Sequence, residues 1–402
     1  MSKAAPKPKY FLRDIPSGIW ALGFVSMLMD VSSEMIHGLL PVYLVTGLGA
    51  SMAAVGLIEG IAEATASITK IFSGALSDRL GKRKLLAAFG YGLAAFTKPV
   101  FPLASNIGWL IAARFVDRIG KGIRGAPRDA LVADISPAHL RGASFGLRQS
   151  LDTVGAFLGP LLGILLMWLT ADNFRAAFWV AAVPAFLALA LICFAVHEPK
   201  RPDGLRKVRN PLSLTEMQRL GALYWWVVGV ATVFTLARFS EAFLVLRAQN
   251  AGLPIMLAPA VLVVMNIVYA LTAYPAGALS DRMDRLSILV IGLLLLIAAD
   301  MTLALATSLA GIALGVVLWG LHMGLTQGLL ATLVADASPP ELRGVAYGYI
   351  NLFGGLAMLA ASVIAGALWD ASGPQGAFLA GAGFAFIALA GLLVLRRKLR
   401  AK

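Results

Sequence analysis

Ionisable side chains recur at helical spacing inside otherwise apolar stretches of this chain. Asp30, Glu34 and His37 follow i, i+4, i+7, which places them on one face of a helix. Glu59, Glu63 and Lys70, at i, i+4, i+11, likewise share a face in the next stretch. Arg114, Asp117, Arg118, Lys121, Arg124 and Arg128 are three or four residues apart. At about 100° per residue they fall within roughly 120° of arc. Arg148 and Asp152 are again four apart. Carboxylates beside guanidinium and ammonium groups support two kinds of chemistry. They can form a static ion-pair network, or they can trade a proton as their surroundings change, because burial and a neighbouring cation pull on a carboxyl proton in opposite directions. Asp30 and Glu34, near the middle of their run, are the first candidates for exchange, with Glu59 and Glu63 next. The second half of the chain has fewer such groups: Arg238, Glu241, Arg247, Asp300 and His322. Coupling chemistry is therefore expected mainly in the first half.

The surroundings of these groups are strongly apolar. Of 402 residues, 59% are hydrophobic and 14% charged, with a mean hydropathy of +0.81. Soluble chains carry about 25% charged residues. This composition excludes a disordered protein and argues against a soluble enzyme. The motifs HExxH and GxSxG are absent, as is any Cys/His pair in register, so no enzymatic activity is expected. The one cysteine, Cys193, forbids an intrachain disulfide.

A helix needs about 20 apolar residues to cross a bilayer. Twelve runs qualify, at about 17–46, 52–77, 85–104, 108–134, 142–168, 174–196, 219–246, 254–279, 287–308, 310–335, 342–368 and 375–396. The expected class is an all-α membrane protein of two six-helix bundles, 1–196 and 219–402, joined by a basic, proline-containing loop at 197–218. A charge at mid-bilayer costs about 2.5–3.5 kcal/mol on insertion scales. Five cations of span four facing lipid would cost more than about 12 kcal/mol by that figure. That face is therefore expected to look inward, onto acids or water.

Loop charge sets orientation. One side holds twenty-two lysines and arginines, at 3–13, 79–84, 141, 200–209, 282–285, 343 and 396–402. The other side holds Lys98, Arg175 and Arg247. Both termini are expected in the cytoplasm of a prokaryote, with the chain in its inner membrane. The formal charge of +13 is then largely a topology signal, and no nucleic-acid partner is expected. The basic start of the chain resembles a signal peptide, but Asp30 and Glu34 interrupt the run, which marks a retained first span.

The chain repeats itself. GALSDR stands at 74–79 and at 277–282, and LVADISPAHLRG at 131–142 returns as LVADASPPELRG at 333–344. Two ordered matches at nearly the same offset argue for a duplicated six-helix unit, with equal topology in each half. With twelve spans, the duplication, the central loop and GALSDRLGKRK after span two, the chain resembles the major facilitator superfamily. Gly74, Asp78, Arg79, Gly81, Lys82 and Arg83 match that family's loop signature; the second copy keeps Gly277, Asp281 and Arg282, with Asp284 where Gly81 stands.

The resemblance implies a secondary transporter with a central site and alternating access. It implies a cytoplasmic gate in which Asp78 faces the helix N-terminus near 341–344, with Lys82 or Arg83 pairing with Asp134. Span five carries Gly146, Gly155, Gly159, Pro160 and Gly163, which match the superfamily's antiporter motif except that Ile164 replaces its last glycine. Such a stripe also allows backbone-to-backbone packing. In the family it marks exporters that exchange substrate for protons, so efflux is expected, with the proton as coupling ion and no other cofactor. Arg114 resembles the family's span-four arginine that assists proton movement.

Candidate substrate-lining residues from the second half are Phe239, Glu241, Asn266, Tyr269, His322 and Gln327. Aromatic and methionine-rich walls accept amphipathic, drug-like molecules. The alternatives are an organic anion or phosphate ester drawn to the span-four arginines, or a divalent metal held by Asp30, Glu34 and His37 with His322 and Met323. No resident metal is expected. The small solute and the bilayer are the expected partners of a monomer.

Overall fold

The computed structural model describes residues 15–137, 140–199, 212–280, 284–339 and 342–400. Among these residues no strand occurs. The helices are α1 (Ser17–Val42), α2 (Met52–Leu80), α3 (Arg83–Thr97), α4 (Val100–Leu103), α5 (Ile107–Ile135), α6 (Arg141–Leu169), α7 (Phe174–Phe194) and α8 (Leu214–Met217). They continue with α9 (Ala222–Leu236), α10 (Ala242–Asn250), α11 (Ala260–Ser280), α12 (Arg285–Leu305), α13 (Leu309–Ala337), α14 (Arg343–Ser372) and α15 (Pro374–Arg400). Nine described helices are long and apolar enough to cross a membrane. The charged α5 is not among them. The third and seventh crossings are each built from two pieces, α3 with α4 and α9 with α10. With those three the count is the expected twelve.

Local chemistry sets where helices begin. At the end of the molecule poor in basic residues, Ser51, Asn106, Asn173 and Ser308 cap α2, α5, α7 and α13, each accepting a backbone N–H three residues on. At the opposite, basic end, Gly81 closes α2 in a left-handed conformation (φ 64°), which a side chain would strain. The carboxylate of Glu198, just after α7, accepts the N–H groups of Arg83 and Lys84 at 2.7 and 3.0 Å and caps α3. Asp284 does the same work locally for α12, accepting from Leu286 at 3.2 Å. The departure from glycine in the second loop copy is thus a helix cap, and Arg396 holds it at 3.2 Å.

In the first half, α5 packs on α2 and α3, and α1 packs on α6 and α7. In the second, α13 packs on α11 and α12, and α15 on α12, α14 and α9. The halves meet along α2 and α14, and through α1 and α6 against α10 and α11. A Cβ on Gly38 would lie 3.0 Å from Pro259, and one on Gly56 would overlap the Ser362 carbonyl oxygen. At the basic-poor end Asp370 of α14 accepts from the N–H groups of Met52 and Ala53 at 2.9 and 2.8 Å, so an acid of one half caps a helix of the other.

Two assignments of loop charge change. Lys98 sits at the break between α3 and α4, 1% exposed, and Pro99 behind it cannot donate a helix hydrogen bond. Arg247 is buried and donates to the carbonyls of Leu303 and Ala306 at the end of α12. Of the three basic residues assigned to that side, only Arg175 is exposed.

Candidate functional site

Helix α5 runs through the first bundle with its charges turned inward, as the insertion cost requires. Close approaches make this possible. A Cβ on Gly120 would lie 2.6 Å from the Gly90 carbonyl oxygen of α3, and one on Gly122 would lie 2.6 Å from Thr69 of α2. Arg114 pairs with Glu59 at 2.8 Å, and both are essentially unexposed. Asp117 pairs with Lys98 at 2.9 Å, and the same ammonium reaches Ser33 of α1 at 3.2 Å. Arg118 pairs with Glu63 at 3.3 Å. Arg124 stacks over Tyr91 with its guanidinium 5.0 Å from the ring centroid. Arg128 holds Asp129 at 3.2 Å and Asp152 at 3.7 Å, and Arg148 holds Asp152 at 3.3 Å.

Two adjoining cavities of roughly 280 and 320 Å³ share Glu34, Glu63 and Lys121; the first lies between the halves, and the residues lining the second come from the first half alone. The first is nearer the contact of α1 with α10. Its C-terminal wall comes from the break in the seventh crossing, 237–241, which presents Arg238, Phe239 and Glu241. Ser240 secures that break, donating its N–H to Ser362 Oγ at 3.2 Å and accepting from Ala242 at 3.3 Å. Asn266, Trp319, Gln327 and Met358 complete the wall. A broken helix that lends side chains to a midplane cavity is a recurring carrier device. The second cavity lies toward the basic end, lined by Asp30, Lys70, Arg124, Arg128, Asp129 and Asp152 among others.

Of the residues expected at the cavity, Asp30, Glu34, His37, Glu63 and Asp152 line it. Glu34 has His37 at 3.6 Å. Asp30 forms no ion pair within 4.0 Å among the described residues. Glu59, Arg114, Asp117, Arg118 and Arg148 stand behind the wall, in the ion pairs above. Phe239, Glu241, Asn266 and Gln327 line the cavity, whereas Tyr269 does not. His322 lies inside the second bundle, with Nδ1 3.1 Å from the Gly292 carbonyl and its ring against Phe234 and Trp319. Among the described residues no three His, Cys, Asp or Glu side chains gather at metal-binding distance. Asp129, Ser240 and Met358 were not singled out in the sequence. Asp129 continues the periodic stripe of α5 and could have been found by extending it one residue.

The glycines of α6 have specific partners. A Cβ on Gly155 would overlap the Met27 carbonyl oxygen and lie 3.1 Å from Asp30 Cβ. One on Gly159 would lie 2.7 Å from the Val31 oxygen and 2.8 Å from Glu34 Cβ. One on Gly163 would lie 3.6 Å from Pro259 Cγ, and one on Gly146 would meet nothing within 4 Å. The stripe therefore presses α6 against the stretch of α1 that carries the two acids, and Pro160 lies within the same helix, buried.

Among the residues of the loop motif, Arg83 pairs with Asp134 at 2.9 Å and donates to the Ala130 carbonyl at 2.8 Å, joining α3 to α5. Arg79 and Lys82 are exposed, and a Cβ on Gly74 would lie 3.4 Å from Ala126 Cβ. The Asp78 side chain, Asp281 and Arg282 lie outside the described residues.

The sequence model of the Major Facilitator Superfamily matches residues 22–361 and 248–402, and the chain belongs to that family of membrane transporters. An uncharacterised MFS-type transporter of Methanocaldococcus jannaschii is 34% identical over 391 residues, 95% of each chain. The quinolone resistance protein NorA of Staphylococcus aureus is 28% identical over 220 residues, 54% of each chain. Among solved structures, a peptide transporter superposes with a TM-score of 0.78 at 16% identity, covering 98% of this chain and 96% of that one, and shares its fold.

Proposed function

We propose that this protein is a proton-coupled secondary carrier, not an enzyme, that exports a small amphipathic solute by alternating access. The observation that carries the reading is the position of Asp30. It lines the central cavity without an ion pair, while Glu59, Glu63 and Asp117 are each held by a cation. An acid that neighbouring cations leave uncommitted can gain and lose a proton as its surroundings open and close. Glu34, with only His37 beside it, is its companion. Support for export comes from the glycine spacing of α6 and from the likeness to NorA over about half of each chain. The apolar side of the cavity, with Phe239, Trp319 and Met358, suits an aromatic or aliphatic body.

The lopsided loop charge supports an inner-membrane protein of a prokaryote with both termini in the cytoplasm, now with Arg175 alone exposed among the opposing basic residues. On that orientation the basic end is cytoplasmic, and the cavity reaches toward it. Arg83, Asp134 and the other motif residues then form the gate that must rearrange. The two bundles, 1–196 and 219–402, act as the moving bodies of a monomer, with the 197–218 loop between them. The test is transport in proteoliposomes under an imposed pH gradient with a chemically diverse solute panel. Counterflow of solute and protons is expected in the parent, and its loss in Asp30→Asn with Glu34→Gln at unchanged insertion. Intact pH-driven flux in that double variant would remove the reading.

A further inference from the structure

Three cations on the wall of the second cavity have no acid partner within 4.0 Å among the described residues: Lys70 of α2, and Lys121 and Arg124 of α5. They converge. The Lys70 side chain reaches α5, its Cε 3.9 Å from where a Gly125 Cβ would stand, beside Arg124 in the chain and one turn beyond Lys121. Arg124 is 4% exposed, and its Nη1 is buried without a hydrogen-bond acceptor. A buried guanidinium nitrogen left unbonded is costly unless something fills the place. The acids of the same cavity do not meet this need. Asp129 and Asp152 are engaged by Arg128 and Arg148, Glu63 by Arg118, and Glu34 lies beside His37. Asp30 and Glu34 are the two carboxylates without a Lys or Arg partner among the described residues, against three unpaired cations, so the floor of the cavity carries one surplus positive charge.

Resting on the transporter reading above, we infer that the transported solute is an organic anion, whose carboxylate, phosphate or sulfonate group docks on Lys70, Lys121 and Arg124. A guanidinium with two ammonium groups is a well-matched donor set for such oxygens. The body of the solute then extends toward Phe239, Trp319 and Met358 in the adjoining cavity, with Asn266 and Gln327 as hydrogen-bonding partners. The shared border of the two cavities at Lys121 makes one molecule able to occupy both. The anion and Asp30 would sit among the same cations, so their charges oppose each other there.

The experiment compares three probes of one shape, 2-naphthoate, 2-naphthamide and 2-naphthylmethylammonium, by thermal shift and calorimetry on the purified full chain without a pH gradient. 2-Naphthoate is expected to bind and raise the unfolding midpoint, with the amide and the ammonium much weaker. Lys70→Gln combined with Lys121→Gln should weaken 2-naphthoate by about tenfold or more, and Lys70→Arg with Lys121→Arg should restore it. Equal binding of all three probes, preference for the ammonium, or no effect of the Gln variants overturns the assignment. Stabilisation by phosphatidylglycerol micelles with none by 2-naphthoate would give the subsite to a lipid headgroup, and overturns it too. Anion binding that depends on these lysines but without pH-driven flux would sink the carrier reading and leave the anion site standing. pH-driven export of the amide alone would do the reverse.

Discussion

Asp117 and Asp300 are both buried aspartates inside a helical bundle, 2% and 0% exposed, yet their surroundings differ entirely. Asp117 has the Lys98 ammonium at 2.9 Å, while neither oxygen of Asp300 has a hydrogen-bond partner. The contrast extends to the whole bundles. The first buries charge against charge through α5, α2 and α3. The second fills its interior with rings: Phe239 touches Phe243, Trp319 and Phe378 at centroid distances of 5.3 to 5.7 Å, and Trp369 joins Phe243 and Phe378. An Asp–Arg–Lys lattice and an aromatic cluster thus support the same six-helix plan. The duplication that produced both halves fixed the plan, not the chemistry that holds it.

The largest expected effect breaks that contrast directly. Asp117→Asn orphans the Lys98 ammonium and should cost about 3–5 kcal/mol, the usual penalty for removing one partner of a buried pair. Asp300→Asn removes no charged partner and exchanges one unsatisfied buried polar group for another, so it should cost clearly less than Asp117→Asn. Thermal unfolding in detergent micelles reads both, and equal losses would erase the distinction between the bundles. Next comes the glycine stripe of α6. Gly155→Ala drives a methyl into the Met27 carbonyl and should cost about 1–3 kcal/mol by overpacking, with transport impaired as Asp30 is displaced. Gly146→Ala, whose methyl meets nothing, is the internal control: it should leave transport unchanged and cost no stability. Smallest is the cap between halves. Asp370→Asn weakens two charge-assisted bonds to α2 and should shift the balance of the two ends by about 1 kcal/mol. Pulsed electron spin resonance between labels in the 48–51 loop and at 373 would report it as a larger population of long distances.

The crossings, the duplication and the inward turn of α5 were legible because periodicity and insertion cost constrain which face of a helix is buried. Asp30 and Glu34 were found for the same reason. Periodicity does not reveal which neighbour a face meets. Lys98 counts as a loop charge in the sequence, and only the fold brings it to Asp117 and Ser33. His322 carried the chemistry of a ligand, but the packing of α12 on α13 turns it toward the Gly292 carbonyl. The break at 237–241 carries no proline or glycine; its stabilising partner, Ser362, lies 122 residues away. Asp284 stands where the first copy has glycine, yet it caps α12, a role that position alone does not disclose.

The tight seam of α6 on α1 has a mechanical corollary. Where two backbones touch with no side chain between them, they cannot slide without collision, so this pair travels as a single strut. On the proposed carrier reading, Asp30 and Glu34 keep the same company on that flank throughout a turnover. Only the scenery across the gap, carried by Arg238 and Glu241, is exchanged, and the strut learns which way the carrier points from the far bank alone.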